Sequence, residues 1–395
     1  MEVMTCSPPK SCRLLDDILA IPCAEVSVIV RMHLRRSIKS HVTLMSTLRL
    51  EVALTSEFFG NENYLEADCK LMGLFIKLDQ NISADLLLDK INECETVFSL
   101  KSQTGHPSHY NIIAPDEVGA FHLLIFANQK DPCEYHQKKR LIILPLLTDC
   151  FNVVSKGHPV MTQFIPSLLS CFRIIDGIIV EEEYGKTMGS HVYDCSIAIL
   201  RFFVLSNTVE GMSGSQVCSS STDTSDNTSV AVELGAGCGL VSIWLAKRRK
   251  FHRMIASDID IQLPLIIRNI KLNCAEPVCT SKELNWPLTT DCDRKAFESS
   301  QICCRLQRQY LNMRDNEYLG MIIAGDVLYS KPLAEDFISV LRALATPNVT
   351  VIYLAQKLRN VDRKDTYDIS STLGLRCESI WEEADVVIWK IFVID

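Results

Sequence analysis

The sequence predicts a doubly wound α/β domain over residues 173–395, preceded by a mainly α-helical domain over residues 1–172. Two observations indicate the α/β domain. Short β-branched runs alternate with longer amphipathic runs, which is the pattern of successive βαβ units with a mostly parallel sheet. A glycine-rich turn also leads from one predicted strand directly into the next predicted helix, as in open α/β sheets that bind ligands at the strand ends.

The predicted strands and helices alternate after residue 229. The strands are VAVEL from Val230, RMIASD from Arg253, GMIIAGD from Gly320, NVTVIYLA from Asn348 and VVIWKIFVI from Val386. The helices are GLVSIWLAKRRK from Gly239, LPLIIRNIKLN from Leu263 and PLAEDFISVLRAL from Pro332. The segment DISSTLGLRCESIWEEADVV from Asp368 predicts a helix, a short strand and a turn, so we expect a terminal hairpin.

Residues 207–229 are expected to form a Ser/Thr-rich insertion inside the α/β domain. The stretch GMSGSQVCSSSTDTSDNTS from Gly211 has too few apolar side chains to offset the entropy lost on ordering. We therefore predict a flexible surface loop between an apolar helix, SIAILRFFVL from Ser196, and the first strand.

The first half of the chain carries no recognisable motif. Apolar residues recur at helical spacing in DCKLMGLFIKL from Asp68, ADLLLDKINECETVFSL from Ala84 and TQFIPSLLSCFRII from Thr162. The run FHLLIFAN from Phe121 fits a strand or a helix equally well. These patterns predict a mainly helical domain whose role is not readable from its residues.

Composition excludes several classes of protein. Hydrophobic residues at 47% and charged residues at 22% are typical of a folded globular protein, and no apolar run approaches the ~20 residues of a membrane span. The formal charge of -8 argues against general nucleic-acid binding and suits a basic partner. The 17 cysteines include no CxxC pair, so no metal site is predicted, and their odd number without a secretory signal favours reduced thiols in the cytosol or nucleus.

The segment VAVELGAGCGLVSIW carries the strongest chemical signal. The strand reaches Glu233 and then runs through Gly235, Gly237 and Gly239 into an apolar helix. A sharp turn with a ligand against its backbone has no room for Cβ atoms and often needs positive φ. The spacing G-x-G-x-G, in place of G-x-G-x-x-G, favours a nucleoside ligand without a pyrophosphate. The alternative is a glycine turn with only a packing role.

Two carboxylates follow later strands. Asp258 ends the strand RMIASD about 20 residues after the glycines, where an acidic side chain accepts hydrogen bonds from ribose hydroxyls. Asp260 is the competing candidate, and either could be an exposed turn aspartate. In IIAGDVLYS a hydrophobic strand delivers Gly325, Asp326 and Tyr329 to the same edge. A desolvated carboxylate needs a partner, so Asp326 should face a cation or a hydrogen-bond donor.

Six segments together resemble a known family. GSHVYDCSIAIL from Gly189, ELGAGCGL, SDID, KELNW from Lys282, AGDVLY and VIYLAQKLRN resemble the successive motifs of the seven-β-strand (class I) S-adenosylmethionine-dependent protein-lysine methyltransferases. AGDVLY matches the Asp/Glu-x-x-Tyr/Phe motif of that methyltransferase-like group. The resemblance implies a Rossmann-like sheet of seven strands with the last antiparallel, S-adenosylmethionine as cofactor, and a lysine of a chaperone or translation factor as methyl acceptor.

The resemblance also implies roles for individual residues. The cofactor's amino-acid end would lie against the glycine loop, its ribose against Asp258 and its adenine beside Trp286 of KELNW. Tyr193 stands where the family usually has a Trp, which departs from the pattern but keeps an aromatic ring. The full set implied to bind cofactor is Tyr193, Glu233, Gly235, Ala236, Gly237, Asp258, Trp286 and Gly325. We assign Asp326 to hold the lysine amine and help it lose its proton, and Tyr329 to shape the channel for the side chain.

Two other functions stay open from the sequence. One is an amino-methyltransferase acting on a nucleic-acid base, which typically has Pro-Pro-aromatic after its acidic or amide residue. The segment from Asp326 to Tyr329 contains no proline, and the acidic charge also counts against a nucleic-acid substrate. The other is a non-catalytic adaptor that retains the fold, which the intact glycines and both aspartates argue against.

Overall fold

The computed structural model divides the chain into two compact units, Met1–Thr187 and Met188–Asp395. Each is described by itself. The structure describes residues 5–6, 28–34, 41–56, 70–77, 97–101, 108–127, 134–135, 139–148, 150–157, 170–183, 186–206, 228–248, 251–286, 300–372, 374–383 and 385–393.

The N-terminal unit is a β structure with two sheets. The nine-stranded sheet has the path β1-β6-β5-β8-β11-β13-β14, with β12 pairing β3 and β8, and the five-stranded sheet has the order β7-β4-β2-β10-β9. The strands are β1 Thr5–Cys6, β2 Val28–Leu34, β3 His41–Thr43, β4 Thr47–Ser56, β5 Lys70–Lys77, β6 Val97–Lys101, β7 Ser108–Ile113, β8 Gly119–Ala127, β9 Glu134–Tyr135, β10 Lys139–Leu144, β11 Leu146–Leu147, β12 Phe151–Val154, β13 Ser170–Ile175 and β14 Ile178–Glu183.

The prediction of a mainly helical N-terminal domain was wrong for the described residues, which form strands and turns. DCKLMGLFIKL contains β5, TQFIPSLLSCFRII ends in β13, and FHLLIFAN lies in β8. In β8 every residue from Phe121 to Ala127 is buried, so neither face of the strand is exposed to solvent. Such a run has no alternation by which to tell a strand from a helix. Residues 84–96 of the remaining predicted helix lie outside the described residues, and its end forms β6.

One hydrophobic core joins the two N-terminal sheets. It contains side chains from β4 and β7 of the smaller sheet and from β5, β8 and β12 of the larger one. Leu50 and Tyr110 represent the first group, and Leu123, Ile125 and Phe151 the second. The unit therefore has the packing of a β-sandwich, in which inward-facing side chains of two sheets share a core.

The C-terminal unit contains a seven-stranded sheet in the order β17-β16-β15-β18-β19-β21-β20. All neighbouring pairs are parallel except those of β21, which runs antiparallel to β19 and β20. The strands are β15 Thr228–Leu234, β16 Arg253–Asp258, β17 Cys279–Glu283, β18 Glu317–Gly325, β19 Val351–Lys357, β20 Leu375–Glu383 and β21 Val386–Val393. The helices are α1 Asp194–Leu205, α2 Leu240–Lys247, α3 Leu263–Leu272, α4 Ser300–Leu311, α5 Lys331–Leu344 and α6 Arg363–Thr372, with 3-10 turns at Met188–Ser190 and Asp260–Gln262.

The doubly wound α/β prediction is confirmed, including the terminal hairpin and the single antiparallel strand. Local signals carried it: the central strands are short apolar runs, and Val230, Val232 and Leu234 of β15 are fully buried. Parallel strands covered by helices on both sides have no exposed face, so they are apolar throughout.

Two expected boundaries lie differently in the structure. Strands β13 and β14 pair with each other and, through β11, with the larger N-terminal sheet, so the first compact unit extends to Thr187. Thr228 and Ser229 of the expected insertion already belong to β15, where they pair with β18. The other residues of the insertion, 207–227, lie outside the described residues.

The described part of the chain was also searched for membrane spans and metal clusters. None of its helices combines the length and apolar character needed to cross a membrane. Within the same residues, no group of three or more His, Cys, Asp or Glu side chains is arranged to hold a metal ion.

Candidate functional site

The residues singled out from the sequence lie at one edge of the C-terminal sheet. The parallel strands β15, β16, β17 and β18 all end there, at Leu234, Asp258, Glu283 and Gly325. Each is followed by a loop that carries predicted site residues. The carboxyl edge of an open α/β sheet is where such folds bind ligands.

The loop after β15 needs its glycines. Gly235, Gly237 and Gly239 have φ of 68°, 56° and 80°, a region that residues with a Cβ rarely adopt. A Cβ on Gly237 would lie 2.8 Å from the carbonyl oxygen of Gly189, and one on Gly235 would lie 2.8 Å from Cγ1 of Val327. The clash at Gly237 is therefore with the chain's own backbone, whereas we expected a side chain there to fill ligand space.

Side chains of the next strand and helix hold this loop in place. Asp258 Oδ2 accepts a hydrogen bond from the Gly237 N–H at 2.8 Å. Gln262 donates from Nε2 to the carbonyl oxygens of Gly237, at 3.1 Å, and Gly189, at 3.0 Å, and Asn269 Nδ2 donates to the Cys238 carbonyl at 2.9 Å. Sequence reasoning missed Gln262 and Asn269. Both could have been found as polar residues on the otherwise apolar face of the amphipathic segment that follows the glycine loop and the next strand.

Asp258 keeps acceptor capacity beyond its two described hydrogen bonds. Its Oδ1 accepts from the N–H of Ile259 at 2.8 Å, so each carboxylate oxygen receives one described backbone donor. A carboxylate oxygen has two lone pairs, which leaves one on each for a further donor. Burial raises the pKa of Asp258, while the N–H groups of Gly237 and Ile259 oppose that shift.

Glu233 is placed differently from the other predicted residues. It is 2% exposed, and its Oε2 accepts hydrogen bonds from the backbone N–H, at 2.9 Å, and the hydroxyl of Ser242 in α2. Burial raises the pKa of Glu233 to about 8, against the lowering effect of Ser242. In the structure its carboxyl group ties the start of α2 to the end of β15.

Asp326 turns the chain at the end of β18. Its φ is 57°, which is uncommon for a residue with a side chain, and its N–H donates to the Ala355 carbonyl at 2.9 Å. Its Oδ2 accepts from Nη1 of Arg359 at 2.9 Å, so the carboxylate does face a cation. Burial raises the pKa of Asp326, and Arg359 and Lys357 act against that rise.

A second ion pair lies close to the first. Lys357, the last residue of β19, donates from Nζ to Oδ2 of Asp194 at 2.6 Å, and both side chains are only 9% exposed. Asp194 is the first residue of α1, so the pair joins the start of that helix to the end of β19. The sequence reasoning did not find Asp194, Lys357 or Arg359, although VYDCSIAIL and YLAQKLRN were both quoted as motifs.

Tyr329 and Gly325 flank Asp326. Tyr329 is 42% exposed, and its carbonyl oxygen accepts a long hydrogen bond of 3.5 Å from Asn360 Nδ2. A Cβ on Gly325 would meet Cys195 and Ile199 of α1 at ordinary contact distances of 3.6 Å. Ser330 occupies the N-cap position of α5, so Asp326 is not the residue that begins that helix.

Two predicted aromatic residues border the glycine loop region. Trp286 packs against Phe337 with ring centroids 5.3 Å apart, and its Cη2 lies 3.6 Å from the position of a Cβ on Gly235. Tyr193 precedes α1, and its hydroxyl donates to the carbonyl oxygen of Met188. The structure thus brings Trp286, the glycine loop, Asp258 and Asp326 to one edge.

Residues 175–301, about a third of the chain, match a family model described as lysine methyltransferase. The match includes the glycine loop, Asp258 and Trp286, and the sheet order and strand ends described above agree with it. Over these residues the chain is similar to lysine methyltransferases. Asp326, Tyr329 and Arg359 lie beyond the matched residues.

The chain is also similar to several solved structures. A transferase from Pyrococcus horikoshii is 16% identical with a TM-score of 0.35, covering 62% of this chain and 78% of that one. TYW2 of P. horikoshii, in complex with MeSAdo, is 13% identical with a TM-score of 0.32, covering 63% and 77%. A ribosomal protein L11 methylase from Lactobacillus delbrueckii subsp. bulgaricus is 13% identical with a TM-score of 0.32, covering 50% and 80%. No match was found among curated protein sequences.

The residues at the carboxyl edge of the C-terminal sheet fit S-adenosylmethionine, the cofactor that the sequence resemblance implies. The indole N–H of Trp286 is buried and has no hydrogen-bond partner within the described residues, so a purine nitrogen could accept from it. Asp258 retains lone pairs for ribose hydroxyls. The turn from Gly235 to Gly237 carries only the methyl group of Ala236, which is 7% exposed, so its backbone is open to close approach. Which residues hold the cofactor stays a prediction.

Gly237→Ala should weaken cofactor binding at least tenfold, because the new Cβ would displace the loop or the Gly189 backbone. Gly177→Ala is the matched control: it too has positive φ, of 78°, but no atom lies within 4 Å of its Cβ position. In that control the free energy of unfolding should fall by only roughly 1–2 kcal/mol, the cost of a left-handed backbone conformation for a residue with a Cβ, and cofactor affinity should not change. All four tryptophans lie in the C-terminal unit, so cofactor titration can be followed by tryptophan fluorescence. Equal affinity in both variants would contradict the proposed loop geometry.

Glu233→Gln should flatten the pH dependence of stability between about pH 4.5 and pH 8. The folded-state pKa of Glu233 is raised to about 8, so its contribution to stability is fully present below pH 4.5 and is lost as pH rises through 8. The measurement is urea unfolding without cofactor, followed by tryptophan fluorescence at several pH values. Glu276→Gln, at an exposed position after α3, controls for the loss of one carboxylate. A wild-type slope retained in Glu233→Gln would show that another group is responsible.

Proposed function

We propose that this protein is an S-adenosylmethionine-dependent methyltransferase that transfers a methyl group to the side-chain amine of a lysine in a protein substrate. The carrying observation is the carboxylate of Asp326, whose side chain is 7% exposed and follows β18 on the same edge as the glycine loop and Asp258. A carboxylate there can bind an ammonium group and accept hydrogen bonds from an amine. The family description, the Asp-x-x-Tyr spacing and the formal charge of -8 support a cationic acceptor.

Each residue has a defined task in this proposal. When bound, S-adenosylmethionine supplies a methyl group on a sulfonium, an electrophile that an amine lone pair can attack directly. Asp326 accepts a hydrogen bond from the lysine nitrogen, orients its lone pair and helps to remove the ammonium proton. Tyr329, which is 42% exposed beside it, borders the path of the lysine side chain. Alignment of this kind can supply about 7 to 11 kcal/mol of barrier reduction.

Burial gives Asp326 a property that an exposed aspartate lacks. Desolvation raises its pKa, which makes the carboxylate a stronger proton acceptor. The nearby Arg359 and Lys357 oppose the rise and favour the ionised form. The residue therefore combines basicity with charge, which is what deprotonation of an ammonium group requires.

The proposal is tested by incubating the purified protein with methyl-labelled S-adenosylmethionine and a hypomethylated cell extract. Parallel samples are treated with RNase or protease, and labelled protein is hydrolysed to identify the modified amino acid. We expect a discrete protease-sensitive product that contains N-methylated lysine. Label in nucleic acid, or in another amino acid, would contradict the proposal, as would cofactor binding without transfer to any component of the extract.

Asp326→Asn should lower the methyl-transfer rate by about 10²–10⁴-fold, the usual contribution of a positioned acid or base. Cofactor affinity, read from tryptophan fluorescence, should stay within a few-fold of wild type because the change affects the acceptor side. Asp336→Asn in α5 is the control and should transfer normally. If cofactor binding were lost together with transfer, Asp326 would serve the cofactor and not the acceptor.

A further inference from the structure

The ion pair between Asp326 and Arg359 joins two loops at the carboxyl edge of the C-terminal sheet. Arg359 lies in the segment between β19 and α6, and its Nη1 is 2.9 Å from Oδ2 of Asp326. The side chains are 19% and 7% exposed, respectively, so solvent screens the pair only weakly. Asp326 is therefore held by a cation that belongs to the protein itself.

The segment that carries Arg359 is anchored by a buried glutamine. Gln356, 1% exposed, donates from Nε2 to the Val361 carbonyl at 2.8 Å. Its Oε1 accepts from the hydroxyl of Thr366 at 2.9 Å and from the indole N–H of Trp389 at 2.8 Å. These bonds fix both ends of the loop from 357 to 362. The guanidinium of Arg359 thus projects from a constrained backbone, which suits a positioning role.

The described charged groups that act on Asp326 come from three elements. Arg359 follows β19, Lys357 ends β19, and Asp194 begins α1. Lys357 is already paired with Asp194 at 2.6 Å, so the positive and negative charges of that pair largely offset each other at Asp326. Arg359 is the cation in direct contact with the carboxylate.

We propose that Arg359 is a positioning residue that keeps the Asp326 carboxylate ionised and oriented toward the acceptor amine. Removing the guanidinium would leave burial as the main influence on the Asp326 carboxylate, and burial favours the neutral form. A neutral carboxyl group can neither attract an ammonium group nor take its proton. This inference rests on the proposed role of Asp326 in amine methylation.

The test is the pH profile of methyl transfer in Arg359→Gln, with labelled S-adenosylmethionine and the hypomethylated extract as acceptor. We expect the acidic limb to move upward by about 1 to 3 pH units, the range by which a neighbouring guanidinium lowers a carboxylate pKa. Transfer should be lost most strongly near neutral pH and should recover in part at alkaline pH. Arg359→Lys should restore most of the wild-type profile.

Arg253→Gln is the matched control. Arg253 forms a bidentate pair with Glu317 at the opposite edge of the same sheet, and these side chains are 18% and 4% exposed, close to the values for Arg359 and Asp326. Its loss should lower stability without moving the acidic limb. If Arg359 had a purely structural role, Arg359→Gln would likewise leave the acidic limb in place and would lower transfer equally at all pH values. That result would overturn the inference.

Asp326→Asn in the same series separates the two proposals. If Arg359 acts through Asp326, adding Arg359→Gln to Asp326→Asn should reduce transfer little further. If Asp326→Asn transfers methyl groups as fast as wild type, the proposed role of Asp326 fails. If Asp326→Asn is inactive while Arg359→Gln keeps the wild-type profile, only the inference about Arg359 fails.

Discussion

The glycine loop after β15 is the constraint on which the rest of the carboxyl edge of the C-terminal sheet depends. Its three glycines have no side chains with which to hold it, and its backbone groups are bound by Asp258, Gln262 and Asn269 from the following strand and helices. The same Gln262 binds the Gly189 carbonyl, which lies against Gly237. One βαβ unit therefore sets the position of the loop, the Asp258 carboxylate and the turn that leads into α1.

The opposite half of the edge is organised by charge. Asp194 pairs with Lys357 and Asp326 pairs with Arg359, so the start of α1, the end of β18 and the end of β19 are linked. Buried ion pairs contribute little net stability, because the desolvation of both charges offsets their attraction. Their value here lies in geometry and in the charge state of Asp326. The half of the edge around the glycine loop is thus held by hydrogen bonds to backbone groups, and the half around Asp326 by ion pairs.

The sequence predicted those features whose causes are local. Each strand and the glycine or aspartate at its end lie within a few residues of each other in the sequence, and burial makes the central strands uniformly apolar. The C-terminal fold and the positions of Asp258 and Asp326 could therefore be predicted from the sequence. The partners of these residues could not. Arg359 lies 33 residues from Asp326, and Lys357 lies 163 residues from Asp194. Only the folded sheet brings such residues together.

The N-terminal unit shows the opposite case. Apolar residues in DCKLMGLFIKL match a helical spacing, yet the segment forms β5, with Leu71, Leu74 and Ile76 buried. Pairing with β6 and β8 decides its structure, and that information is absent from the segment itself. Tertiary contacts outweigh local preference most readily in short apolar runs.

A crystal structure with S-adenosylhomocysteine tests the central claim of this account most directly. The claim is that the carboxyl edge of the C-terminal sheet holds the methyl donor between the glycine loop and Asp326. We predict the amino-acid end against Gly235–Gly237, ribose hydroxyls on Asp258, adenine next to Trp286, and the sulfur facing the side of the crevice where Asp326 lies. A nucleoside bound elsewhere, or a sulfur turned away from Asp326, would contradict it.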